Sequence, residues 1–275
     1  MWKKFACLML VACFAVCHAT PAETIDNQGI SSALKLILSE AGDRRLILLG
    51  ELHGTRQVPA LVARLISAYS VQGPVLLGLE IDGSESAAMR RYLASDGGPE
   101  AQAFLPASPF WNVQGVQHDG RRNHEVLGLI EQVRRMRAQG RDVAILAYDD
   151  PGTGHASSQA RDQAMAHSLR TAIAALPRGR LIVLSGNVHA MRKRPKDAPP
   201  EMQTPMGAYL GDLKPYVINI TANDGEFWAC TKTCGPVAVP HLGQHSGRDS
   251  DGPYDLQVVL SRFQIADLVG AKAAP

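Results

Sequence analysis

RLILLGELHG, residues 45–54, is the stretch on which the fold turns. Four apolar residues, Leu46 to Leu49, run straight into Gly50, too few for a helix of their own. Such runs suit strands buried on both faces. Two side chains that exchange protons, Glu51 and His53, follow at once. The same grammar returns in RLIVLSGNVHA, residues 180–190, where an apolar run meets Gly186 and then Asn187 and His189. Each segment is a GxxH motif. Its glycine permits a tight turn out of the strand, and the third residue on returns an imidazole over the sheet edge.

Outward from these two segments the chain alternates. Short apolar runs at 74–79, 142–148, 216–221 and 256–260 read as further strands. Residues 31–40, 59–69, 84–93, 123–138 and 157–176 read as helices; Val126, Leu127, Ile130 and Val133, for example, fall on one face at helical spacing. Strands alternating with helices predict an α/β fold with a mainly parallel sheet and helices on both faces. Two stretches break the rhythm. Residues 97–122 are loop-like, with three prolines and the aromatic residues Phe104, Phe110 and Trp111; residues 192–205 are rich in Lys, Arg and Pro. Long loops in compact domains serve as lids, binding loops or plain covering insertions.

In open parallel sheets ligands bind outside the carboxyl ends of the strands. Glu51 and His53 follow the first strand, Glu80 and Asp82 end the second, and Asp149 and Asp150 end the third. Asn187 and His189 follow the fourth, and Asn223 and Asp224 the fifth. The expectation is one polar site at that edge. Two chemistries suit it. In one, His53, Glu80 and His189 hold a divalent metal (manganese, cobalt or zinc) with open positions for water, and Glu51 takes the proton. In the other, His53 is the general base without a metal, held by Glu51 or Glu80, and Arg161 stabilises the oxyanion. Arg161 can equally be a surface partner of Asp162 or Glu51. No nucleophile elbow, phosphate loop or dinucleotide fingerprint is present.

The 275 residues are 45% apolar and 20% charged, the make-up of an ordinary globular chain. A net charge of +2 is too near zero to argue for nucleic acid or an acidic membrane surface; the expected partner is a small-molecule or peptide substrate, with no nucleic acid. Met1-Trp-Lys-Lys, an apolar run from Phe5 to Val16 and the small-residue site ending at Ala19 form a secretory signal over residues 1–19. The alternative, a lipobox at Leu10–Cys13, would tie the protein to the membrane through Cys13 as an outer-membrane lipoprotein. Otherwise the protein is periplasmic or secreted. Beyond the leader only Cys230 and Cys234 remain, an exported pair that predicts a disulfide closing a small hairpin.

LLGELHGT (48–55), LLGLE (76–80), ARDQAMA (160–166) and LSGNVHA (184–190) together resemble the superfamily that contains ChaN-like haem-uptake lipoproteins, erythromycin esterases, Tiki and TraB proteins. The resemblance spans about residues 44–222 and implies one α/β domain over residues 20–275 with its site at the strand ends. It implies different activities by branch. Tiki proteins are metal-dependent proteases whose paired GxxH motifs and intervening glutamate correspond to His53, Glu80 and His189. Erythromycin esterases open a lactone with histidine-activated water, which corresponds to Glu51, His53, Glu80, Arg161 and His189. ChaN-like proteins bind haem through a tyrosine, for which no position is assigned here. The leading expectation is an exported hydrolase of an ester, lactone or peptide bond; the alternative is a haem-binding envelope protein of iron uptake.

Overall fold

The computed structural model describes residues 25–112, 118–149, 157–230, 232–241 and 243–270. The expected leader at 1–19, with the alternative lipidation position Cys13, and the site candidate Asp150 lie outside the described residues. Seven strands form one sheet in the order β3-β2-β4-β1-β5-β9-β8. They are β1 (Leu46–Glu51), β2 (Val75–Asp82), β3 (Val143–Asp149), β4 (Arg180–Gly186), β5 (Tyr216–Ala222), β8 (Gly247–Arg248) and β9 (Leu256–Leu260). All pairings are parallel except the short β8 on β9. The sheet is α/β and mainly parallel, as its apolar runs predicted.

Those runs are continuous because both faces are covered. Ile47 and Leu49 of β1 join one core with Leu77, Leu79, Ile182, Leu184 and Ile218, under α1 (Asn27–Ala41), α2 (Gln57–Ser70), α3 (Ser86–Leu93) and α5 (His124–Ala138). Leu46 and Leu48 face the other way, into a second core with Leu181, Val183, Val217 and the Met165–Leu169 side of α6 (Ser158–Ala174). Every residue of β1 is buried. Each fully buried leucine or isoleucine contributes about 1.5–3 kcal/mol relative to exposure, so the central strands hold the sheet edge rigid.

Helix α1 starts where Asp26 accepts the Gly29 N–H at 2.9 Å and stops at Gly42, whose φ of 52° no β-carbon favours. Helix α6 starts at Ser157, which accepts from Ala160 N–H at 3.2 Å. The stretch 97–122 is less irregular than its prolines suggested. Pro99–Phe104 form α4, with proline in the first turn where its missing N–H costs nothing, and Phe110 and Trp111 are buried in the larger core. Two short helices, α7 (Asn187–Ala190) and α8 (Met206–Tyr209), follow β4. A separate hairpin pairs β6 (Glu226–Cys230) with β7 (Cys234–Ala238), and Cys230 and Cys234 are joined as a disulfide across it. Such a bond belongs to an oxidising, exported environment. Among the described residues no helix is long and apolar enough to cross a membrane.

Candidate functional site

Three neighbouring strands build the site. In the order β2-β4-β1 they supply Glu80, then Ser185 and Gly186, then Glu51, with His53 two residues past β1. Parallel register sets Glu51 opposite Gly186, so the two GxxH motifs leave the sheet side by side. Each motif glycine makes room for the other motif. A β-carbon on Gly50 would lie 2.9 Å from the Asn187 Cα, and one on Gly186 would lie 3.0 Å from His53 Nε2 and 3.5 Å from His189 Cδ2. Trp228 of the hairpin donates its backbone N–H to the His53 carbonyl at 2.8 Å and so pins the first motif from outside.

Glu80 is the hub. One carboxylate oxygen, Oε2, accepts Gly186 N–H at 2.7 Å and the Ser185 hydroxyl at 3.1 Å; the other, Oε1, accepts Arg161 Nη2 at 2.6 Å and Arg121 Nη1 at 3.3 Å. Asp149, from the end of β3, takes Arg161 through Nε at 2.9 Å and Nη2 at 2.7 Å, and Arg121 Nη1 at 2.9 Å. Asp119 holds the other end of Arg121 at 2.7 Å. Burial raises the Glu80 pKa, but the surrounding cations, Arg121 foremost, hold it well below the ordinary carboxylate value. Burial likewise works against Arg121, and its carboxylate partners, led by Glu80 and Asp119, lift its pKa above the ordinary arginine value. Both arginines and their partners form a densely bonded lattice around the buried Glu80 and Asp149.

The two histidines hang from that lattice differently. His189 Nε2 meets Arg161 Nη1 at 3.0 Å, and a guanidinium only donates, so Nε2 carries the lone pair. Its Nδ1–H therefore donates to Asp162 at 2.7 Å, a carboxylate also fixed by Met206 N–H. His189 has no open nitrogen. His53 does. Its Nδ1 meets Glu51 Oε1 at 2.9 Å, and its Nε2 has Glu80 Oε2 at 4.0 Å as its nearest ionic neighbour. Burial depresses the His53 pKa, but the Glu51 hydrogen bond and the charges of Glu80 and Glu51 outweigh it and raise it above 6.5.

His53 Nε2 borders a cleft of about 300 Å³ lined by Glu51, His53, Asp119, Gly186–His189 and the hairpin residues Phe227–Cys230. A larger hollow of about 750 Å³ opens at the amino ends of the strands. There Arg45 binds the Leu176 and Gly179 carbonyls and Arg141 the Ser67 carbonyl, which are chain-end contacts rather than an acid–base pair.

Glu51, His53, Glu80, Arg161 and His189 thus come together, though not in all the roles their order suggested. The metal set of His53, Glu80 and His189 does not fit a cation. The lone pair of His189 is spent on Arg161, the Glu80 oxygens are filled by four donors, and two guanidinium charges occupy the position beside them. Among the described residues no group of three or more His, Cys, Asp or Glu side chains is arranged to hold a metal. Among the described residues no tyrosine lines the cleft; Tyr148 and Tyr254 donate to the Leu184 and Asn187 carbonyls.

Arg161 is paired with Asp149, Glu80 and His189, not with Asp162 or Glu51, so it positions rather than faces the cleft. The end of β5 is not part of the site. Asp224 pairs with the exposed Arg262, and Asn223 bonds the Gln244 carbonyl. Asp119 and Arg121 escaped the sequence reading because they sit in a stretch without periodicity. Only their charge beside an apolar loop marked them.

No family model matches the chain, and no curated protein matches it in sequence. Solved structures do match in fold. An erythromycin esterase, EreC, caught in its open conformation as a histidine-to-asparagine mutant, superposes with a TM-score of 0.62 at 11% identity, over 86% of this chain and 95% of that one. A protein from Bacillus cereus gives 0.56 at 12% identity, over 86% and 92%. The type III effector HopBA1 gives 0.52 at 17%, over 83% and 93%. The resemblance to the erythromycin esterases read from the motifs thus holds at the level of the fold.

Proposed function

We propose that this protein is a hydrolase that opens an ester or lactone bond of a small, uncharged, partly apolar molecule, with His53 as general base. What supports this reading above all is the Glu51–His53 pair. Glu51 fixes Nδ1–H, which leaves the Nε2 lone pair facing the cleft. A water there loses its proton to Nε2 as it attacks the carbonyl carbon. Glu51 stabilises the imidazolium that forms, and the same proton then passes to the departing alkoxide. The Glu80–Arg161–Asp149–Arg121 lattice takes no part in proton transfer. It holds β1, β2, β4 and His189 in register so that this geometry is preformed.

The walls bear on the substrate. Leu52, the exposed Val188, Phe227, Trp228 and Ala229 offer an apolar surface. Glu51 and Asp119 line the same cleft, and Asp119 is held far below the ordinary carboxylate value by Arg121 and Arg122 despite its burial, so an anionic substrate is repelled. The erythromycin esterase that shares the fold is named for an ester bond. The leader and the disulfide support periplasmic or secreted work.

Purified protein assayed on a panel of chromogenic esters and lactones tests the reading. Turnover is expected in the wild type and falls by about 10²–10⁴-fold in His53→Ala, with an unchanged far-ultraviolet spectrum. An unchanged rate in that variant overturns it.

A further inference from the structure

Water attacking a carbonyl carbon drives negative charge onto the carbonyl oxygen, and that oxygen needs a donor already aimed at it. The cations closest to His53 cannot serve. Arg161 is spent on Asp149, Glu80 and His189, and Arg121 on Asp119, Asp149 and Glu80. Among the side chains on the cleft wall, Glu51 and Asp119 are acceptors and His53 is the base. His189 gives its one N–H to Asp162, and the Trp228 indole gives its own to the His118 carbonyl. The Gly186 and Trp228 backbone N–H groups go to Glu80 and to the His53 carbonyl.

Among the side chains on the cleft wall, Asn187 is what remains. Its amide oxygen accepts Val188 N–H at 3.0 Å, which orients the amide and leaves the NH₂ group with no partner among the described residues. Its backbone is fixed on two sides. The Tyr254 hydroxyl donates to its carbonyl at 3.1 Å, and β1 presses against its Cα because residue 50 is glycine. It lines the cleft beside Gly186, on which a β-carbon would lie 3.0 Å from His53 Nε2. We infer that Asn187 donates the hydrogen bond that holds the substrate carbonyl and stabilises the oxyanion, an inference that rests on the hydrolytic reading above. The middle of the second GxxH motif then has a task of its own: the glycine admits His53, the asparagine receives the developing charge and the histidine braces Arg161.

Two substitutions separate this role from a structural one. Asn187→Asp keeps the oxygen that Val188 N–H bonds but removes the donor, whereas Asn187→Ala removes both. Both are assayed beside the wild type and His53→Ala on the best ester of the panel. Binding of a phosphonate monoester, a stable mimic of the tetrahedral intermediate, is measured by calorimetry. If Asn187 is the donor, both variants lose about 10²–10³-fold in kcat with KM little changed, and phosphonate binding weakens in parallel. Wild-type kcat and phosphonate affinity in Asn187→Asp, with His53→Ala inactive, overturn the role of Asn187 alone. Absent wild-type turnover, or an unimpaired His53→Ala, overturns the hydrolytic reading and this inference with it.

Discussion

Replacing Glu80 by glutamine removes one charge and no volume from the centre of the lattice, and the structure sets what that costs. A glutamine has one oxygen for four donors. If the oxygen faces Gly186 N–H and Ser185, the new NH₂ group points at two guanidinium groups; if it is flipped, the NH₂ group points at the Gly186 N–H. Either way donors face donors in a buried site, and Arg121 and Arg161 keep their charge with one carboxylate fewer. Breaking a buried ion pair by removing one partner costs about 3–5 kcal/mol, a large share of the roughly 5–15 kcal/mol that holds a domain folded. The acid dependence carries a second signature. Glu80 has a folded pKa well below 4.5, so its stabilisation is fully present above the unfolded value and is lost as pH falls through the folded one. Urea denaturation followed by circular dichroism should show a gap between wild type and Glu80→Gln that persists from neutrality to about pH 4.5, widening as His53 protonates beside Glu80, and that narrows in stronger acid. A loss below about 1 kcal/mol at neutral pH, or a gap that does not narrow as the wild type is acidified, would refute the hub role.

Gly186→Ala should leave the backbone unstrained, since φ of −54° and ψ of 140° suit alanine, yet its β-carbon arrives 3.0 Å from His53 Nε2. Ester turnover should fall by about 10–100-fold for a stability change near 1 kcal/mol, read by kinetics and thermal melting together; full activity would contradict the close approach. Glu51→Gln should move the rising limb of the pH–rate profile to lower pH, because the Glu51 hydrogen bond and charge help raise the His53 pKa. The sign follows from the base role: His53 acts when neutral, so the rate climbs as pH rises through its pKa. His53 protonation also stabilises the fold below about pH 6.5, a contribution lost as pH rises through the raised folded value. An unmoved limb in the variant would detach Glu51 from the base.

The sheet could be read from the chain because its strands are buried on both faces. Leu46–Leu49 and Leu181–Leu184 have no polar position to blur them, and Val217–Ile220 is interrupted only by Asn219. The pairing of the motifs could be read too, since residues leaving parallel strands share one edge. Strand order could not. Nothing in the local pattern of residues 45–54 or 180–190 says that β4 lies between β1 and β2, and that placement lets Glu80 reach Gly186. The roles were hardest to read where a partner comes from an irregular stretch. His53, Glu80 and His189 read as metal ligands from the motifs alone, which do not show that the guanidinium groups of Arg121, from residues 97–122, and of Arg161 lie against Glu80 and share Asp149. Asp162 likewise read as a mate for Arg161, its chain neighbour. On a helix adjacent residues point about 100° apart, which sends Arg161 to β3 and Asp162 to His189.

Turnover by protein dialysed against a chelator, measured across the pH range on the most reactive ester, tests the central claim most directly. The account predicts full activity after dialysis, no gain from added manganese, cobalt or zinc, and a rate rising with pH through a single pKa above 6.5. Activity lost on dialysis and restored by a divalent ion would contradict it, and would return His53, Glu80 and His189 to the role of ligands.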